Sequence, residues 1–126
     1  MADVKFYKCN KCANLFVKVL EGPCTPQCCG EPCTELVAGS SDGAREKHVP
    51  AVTREGGKII AKVGEVAHPM LDAHYIQFVA LATPDRVEIK KLKPGEEPVA
   101  EFACDGADDV TVYEYCNLHG LFKADI

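Results

Sequence analysis

The chain has 126 residues, 47% of them hydrophobic, and a formal net charge of -5. That length suits one ordinary domain or two very small ones, and the acidic balance argues against binding nucleic acid or anionic membrane, whose footprint is a basic surface. No apolar run approaches the ~20 residues of a bilayer span, and "MADVKFYKCN" lacks the apolar stretch of a secretory signal, so a soluble cytoplasmic protein is expected.

In that compartment eight cysteines do not read as a disulfide framework. Six lie in the first 33 residues (Cys9, Cys12, Cys24, Cys28, Cys29, Cys33), and Cys104 and Cys116 follow much later. A module of ~35 residues cannot stand on a hydrophobic core alone and usually needs a metal or staple. Cys9-x-x-Cys12 is a metal half-site, and the amides of such a small loop can bond thiolate sulfurs. Spacing leaves the other half open among Cys24, Cys28, Cys29 and Cys33. The first module ends near "LVAGSSDGAREK", a Gly/Ser/Asp-rich linker or long loop.

Beyond it, short strands alternate with turn signals. "VPAVTR" and "KIIAKV" flank a Glu-Gly-Gly turn at 55–57. "YIQFVALA" is a nearly continuous apolar run, suited to a strand covered on both faces. "RVEIKKL" alternates, which predicts Val87, Ile89 and Leu92 inward and Glu88 and Lys90 outward. "VAEFAC" follows the breaker "KPGEEP", and its Cys104 reads as a buried, inert thiol. "VTVYEYC", after "DGADD", places Val110, Val112 and Glu114 on one face. No sustained helical period occurs. Six or seven such strands predict an antiparallel β-sandwich of immunoglobulin-like type.

All four histidines lie in this second part: His48 in "EKHVP", His68 and His74 in "VAHPMLDAHY", and His119 in "EYCNLHGLF". Cys116-x-x-His119 is a metal-ligand spacing. The histidines fall in loops or at strand edges, and a sandwich gathers its loops at one end. Five such ligands exceed the four at which structural zinc closes. They leave one octahedral position for a small molecule, and imidazoles with one thiolate suit iron. An electron-donating thiolate points to chemistry on a small oxygen species.

These residues carry a resemblance. "EKHVP", "AHPMLDAHYIQF" and "EYCNLHGLFKA" resemble the signature segments of desulfoferrodoxin, the two-domain superoxide reductase family, and the likeness runs nearly end to end. The resemblance implies a desulforedoxin-like four-cysteine domain at 1–37, related to rubredoxin, and a catalytic β-sandwich at 38–126. His48, His68, His74 and His119 would ring the catalytic iron in a plane, His119 through its other ring nitrogen, with Cys116 opposite the open position. Glu46 and Lys47 would act beside it: Lys47 by attracting superoxide and ordering water, Glu46 as a carboxylate ligand in the ferric state. For the small domain the family pattern implies Cys9, Cys12, Cys28 and Cys29, holding iron or, equally well, zinc. The resemblance implies that this centre is structural first and electron-storing second, and not required for the reaction. Cys24 and Cys33 depart from the family pattern and read as free thiols. The family's tryptophans are missing, with Tyr75, Phe78 and Phe122 taking over apolar packing.

The activity so implied is one-electron reduction of superoxide to hydrogen peroxide at a ferrous centre, without oxygen evolution. A rubredoxin-like electron donor and a homodimer are implied too. The alternatives are a non-catalytic iron electron-transfer protein, a superoxide dismutase, and a zinc-ribbon interaction module, which would leave every histidine unused.

Overall fold

The computed structural model describes residues 2–41 and 43–126. Asp42, within the linker stretch, lies outside the described residues. The chain forms two compact units, Val4–Val37 and a larger one from Ala38 to Ile126 that includes Ala2 and Asp3. No helix among the described residues is long and apolar enough to cross a membrane.

The small unit is built on β1 (Lys5–Lys8), β2 (Leu15–Lys18), β3 (Gln27–Cys28), β4 (Glu31–Pro32) and β5 (Thr34–Glu35). β1 is the centre of a three-stranded antiparallel sheet, between β2 and β5, and β3 pairs with β4 in a hairpin. Phe6 and Tyr7 of β1 are the unit's buried aromatic residues. Tyr7, Cys9 and Cys33 are buried together, with Cys28 packed against them.

The larger unit opens with one helical turn, α1 (Arg45–His48), and continues through β6 (Pro50–Glu55), β7 (Lys58–Val63), β8 (Ile76–Thr83), β9 (Arg86–Lys91), β10 (Val99–Ala103), β11 (Thr111–Cys116) and β12 (Gly120–Asp125). The strands form two antiparallel sheets in the orders β10-β7-β6 and β12-β11-β8-β9. This is the antiparallel sandwich expected. The turn between β6 and β7 uses Gly56 and Gly57 at φ 52° and 80°, a conformation that suits a two-residue hairpin and that glycine adopts without penalty. Ile59, Ala61 and Val63 of β7 and Ala100 and Phe102 of β10 meet Ile76, Val79 and Leu81 of β8 and Val112 and Cys116 of β11 in one core. Cys104 is buried in it, as its sequence context predicts.

β8 and β11 are the central strands and are buried on both faces. Their ladder shifts register at one point: Tyr115 opposes Phe78, but Cys116 opposes Ile76. Such a bulge bends the strand and re-aims the side chain beside it.

β9 corrects the expectation from alternation. Val87 and Ile89 do not point inward; each is 41% exposed. The pairing with β8 is the reason: Val79 and Leu81, both core residues, stand opposite Lys90 and Glu88, and directly opposed residues share a face. Arg86, Glu88 and Lys90 therefore turn toward the other sheet. Arg86 Nη2 donates to the Ala103 carbonyl at 2.6 Å and Lys90 Nζ to that of Glu101, and Lys90 lies over the Phe102 ring. These long side chains cover core edge with their stems while their heads satisfy free carbonyls of β10. Leu92 does pack against the core.

The two adjacent strands set up a direct comparison. Leu81→Ala is expected to cost about 2–5 kcal/mol in denaturant unfolding of the metal-free protein, and Ile89→Ala less than about 1 kcal/mol. Comparable losses at both positions would mean that β9 faces the other way.

Candidate metal centres

The sandwich brings the nitrogen-rich residues together at one end. α1 ends on His48, which sits on a helical turn just before β6, next to a strand as expected. His68 follows the turn after β7, His74 directly precedes the Tyr75–Ile76 entry to β8, Cys116 is the last residue of β11, and His119 immediately precedes β12. The four imidazoles form a closed ring. Centre-to-centre distances are 4.6 Å from His48 to His68, 4.7 Å from His68 to His74, 5.2 Å from His74 to His119 and 5.0 Å from His119 to His48. Each neighbouring pair is edge to face. Donor atoms of His48, His68, His74 and Cys116 all lie within 4.8 Å of one another.

Two of the rings are oriented by the backbone. His48 Nδ1 donates to the Ala44 carbonyl and His68 Nδ1 to that of Pro69, both at 2.7 Å. That leaves Nε2 of each as a lone-pair donor, and these two atoms stand 3.1 Å apart. Nε2 of His74 is buried without a hydrogen-bond partner among the described residues. Burial is the main cause that lowers the pKa of His48, His68 and His74, His68 to about 4. All three are therefore neutral at physiological pH, as metal ligation requires. Three unprotonated nitrogens and a sulfur converge on one point, a donor set that fits a transition metal.

Cys116 is fully buried. Burial raises its thiol pKa first, and the nearby Glu114 carboxyl raises it further, against the amides of His119 and Leu118, which bond the sulfur. A bound cation would tip that balance to the thiolate. Glu114 lies on the core face, as β11's alternation predicts, completely buried, and among the described residues neither carboxyl oxygen has a hydrogen-bond partner. Burial pushes its pKa up to about 9.

Glu46 and Lys47 are both exposed on α1. The Lys47 ammonium contributes to lowering His48 and His74, so its field reaches the ring. The Glu46 carbonyl accepts the Val66 amide at 3.0 Å, tying α1 to the segment before His68. Two glycines that residue chemistry did not single out shape this end. A Cβ on Gly43 would lie 2.9 Å from His119 Cβ, 3.0 Å from Phe122 and 3.1 Å from His48 Cε1. One on Gly64 would meet the carbonyl oxygens of Glu46 and Val49 at 2.7 and 2.9 Å. Phe122 packs against the His48 ring at 4.7 Å and Phe78 stacks on Tyr115, while Tyr75 is half-buried.

In the small unit the sulfurs of Cys9, Cys12, Cys28 and Cys29 form the second group. This closes the choice that spacing leaves open. Cys24 is exposed, and Cys33 is buried beside Tyr7 and Cys9 but outside the group. The two adjacent cysteines both reach it because Cys29 takes φ 54°, a left-handed conformation rare outside glycine. Amides of Lys11 and Cys12 donate to Cys9 Sγ at 3.4 and 3.5 Å and, with the Cys12 amide the stronger, lower its pKa to about 6. Crowding by its neighbours, Cys12 foremost, pushes Cys29 up to about 12. Four thiolates cannot share this space without a cation, and a tetrahedral iron or zinc fits the set.

Two outcomes follow. Cys28→Ser or Cys29→Ser is expected to lose zinc from the small unit when the metal-loaded chain is assayed, whereas Cys24→Ser and Cys33→Ser retain it; loss on Cys24→Ser would mean a different quartet. Glu114 carries a pH signature. Its carboxyl titrates higher folded than unfolded, so the folded state binds more protons between the two values and stability falls as pH rises through that window. From about pH 5 to 9, the unfolding free energy of metal-free protein should decline less in Glu114→Gln than in the parent. Parallel curves would show that Glu114 ionises normally.

The desulfoferrodoxin family model matches residues 40–125. The desulfoferrodoxin of Nitratidesulfovibrio vulgaris is 46% identical over 122 residues, covering 96% of this chain and 95% of that one. That of Clostridium acetobutylicum is 43% identical over 125 residues, 98% of each. The solved structure of the superoxide reductase from Treponema pallidum is similar over 98% of both chains, with a TM-score of 0.79 at 32% identity. The superoxide reductase of Giardia intestinalis matches 64% of this chain and 97% of its own, with a TM-score of 0.57 at 27% identity. Family model, relatives and folds agree: this chain belongs to the desulfoferrodoxin family.

Proposed function

We propose that this chain is a superoxide reductase, with iron held by His48, His68, His74, His119 and Cys116. The observation that carries the reading is the ring of four imidazoles beside a buried cysteine. Its superoxide reductase neighbours support it. Ferrous iron, if held by these five residues, would supply the single electron that reduction of superoxide needs.

The chain's own residues do the rest. Neutral imidazoles add no negative charge that would repel an anionic substrate. The Cys116 sulfur, held by the Leu118 and His119 amides and backed by apolar core, donates electron density from a site closed to water. Lys47 gives a chain of net charge -5 a local positive field at the ring, and for a small anion such a field raises the encounter rate. We assign Lys47 to superoxide attraction and proton delivery through water, and Glu46 to a carboxylate contact with the oxidised metal. Each superoxide takes up one electron and two protons to leave as one hydrogen peroxide.

The four-cysteine centre, with iron or zinc, holds the small unit together. Phe16, Val19, Leu20 and Val37 are exposed there, which supports pairing with a second copy as a homodimer. A rubredoxin-like protein would return the electron. A reducing cytoplasm, where thiols stay available to metal, suits five cysteine ligands.

Reduced, iron-loaded protein mixed with limiting superoxide is expected to yield one hydrogen peroxide per superoxide and no oxygen. Half that peroxide with oxygen evolved would make it a dismutase. Superoxide decay no faster than in buffer would leave the non-catalytic electron carrier.

A further inference from the structure

Asn117 sits between the ligand residues Cys116 and His119, and its side chain leaves its own loop. Its Oδ1 accepts the Tyr75 amide at 2.9 Å, and its Nδ2 donates to the Ala73 carbonyl at 3.0 Å. Its backbone N–H donates to the Tyr75 carbonyl at 3.2 Å. These three bonds bracket His74, one on the residue before it and two on the residue after. His74 itself is tied on its other side by paired backbone bonds with Leu71, at 2.9 and 3.0 Å.

The bracket matters because His74 differs from its neighbours. His48 and His68 each give Nδ1 to a backbone carbonyl, which fixes ring and tautomer. Among the described residues, His74 Nε2 has no hydrogen-bond partner and no backbone carbonyl bond like those to Ala44 and Pro69 acts on its ring, and His74 is only half-buried where the other two are buried. Its orientation depends on where the backbone on each side is held. Asparagine is suited to hold it, since one short planar group both accepts and donates. Aspartate lacks the donor, and glutamine is a methylene too long.

We infer that Asn117 is a positioning residue: it clamps the peptide units flanking His74 to the residue after Cys116, setting that imidazole relative to the sulfur. The clamp replaces, through the backbone, the ring hydrogen bond that His48 and His68 have. The inference rests on the nitrogen-rich group holding a metal, and it is independent of which reaction that metal performs.

The test uses the full chain loaded with cadmium-113 and read by NMR. Cadmium shifts report the number of sulfur ligands, so the four-cysteine and nitrogen-rich sites give separate signals. In Asn117→Ala, chelator is expected to strip the nitrogen-rich site at least about 10-fold faster, the usual scale for losing a residue that orients a ligand. Its signal should also shift, while the four-cysteine signal keeps its position and lifetime. Asn117→Asp keeps the acceptor for Tyr75 and loses the donor to Ala73, so it should fall between; it decides the matter if the alanine variant does not fold. Parent-like shift and lifetime at the nitrogen-rich site in the folded variants would overturn the proposal. Equal acceleration at both sites would overturn it too, by showing general destabilisation. A parent chain with only the sulfur-rich signal would remove the site, and the proposal with it.

Discussion

His48 and His68 are taken out of water with one ring nitrogen of each already given to a carbonyl, and the chemistry of the larger unit depends on that constraint. Burial lowers both pKa values, so the rings stay neutral and the remaining nitrogens present lone pairs to the same point. A charged imidazole there would repel its neighbours and any cation. Cys116 answers to the same cause with the opposite sign of charge: burial holds its thiol protonated, with only two loop amides pulling the other way. A divalent ion relieves both, accepting the nitrogens and displacing the thiol proton. The neutral nitrogens favour that exchange, while the raised thiol pKa adds a proton that a bound cation would have to displace.

The two centres reach stability by different routes. In the small unit four sulfurs stand beside a buried cluster of only Tyr7, Cys9 and Cys33, so a metal bound there would be a large part of what holds the unit together. The larger unit has a core running from Ile59 to Cys116 that does not depend on a metal. There an ion would organise only the loop end, for which the strands supply a rigid base. Local loss of metal should thus leave one unit folded and the other not.

The donor sets are legible in residue type and spacing because metal chemistry admits few side chains. Cys116, His48, His68, His74 and Cys9-x-x-Cys12 could be read directly, while His119 closes the ring of imidazoles without joining the group of converging donor atoms. Cys28 and Cys29 could not be separated from Cys24 and Cys33 by spacing, since the decision lies in one left-handed φ at Cys29. β9 misled for a related reason: alternation shows that two faces differ, but register with β8 decides which one is inward, and here the basic residues reach across to β10. β12 was hidden in the short "GLFKAD" run next to the ligand loop. Gly43 and Gly64 matter through space that a side chain would fill, and Asn117 through partners more than forty residues away. None of these leaves a periodic mark.

β11 shows why site and fold are hard to separate in this chain. Val112, Glu114 and Cys116 follow one another along its inner face, so one strand passes from core to buried carboxyl to metal ligand within five residues. The register shift against β8 falls between Tyr115 and Cys116, at the step where the strand stops packing and begins to present ligands. Asn117 then ties the strand's exit to the entry of β8, and Gly120, at φ 85°, turns the chain back into β12. A substitution on this strand perturbs packing and coordination together. Those on the β9 edge, where charged side chains stand between the core and water, leave the centre alone. The sulfur is thus placed by the most buried strand of the molecule, and the surrounding imidazoles by loops that must be held to it.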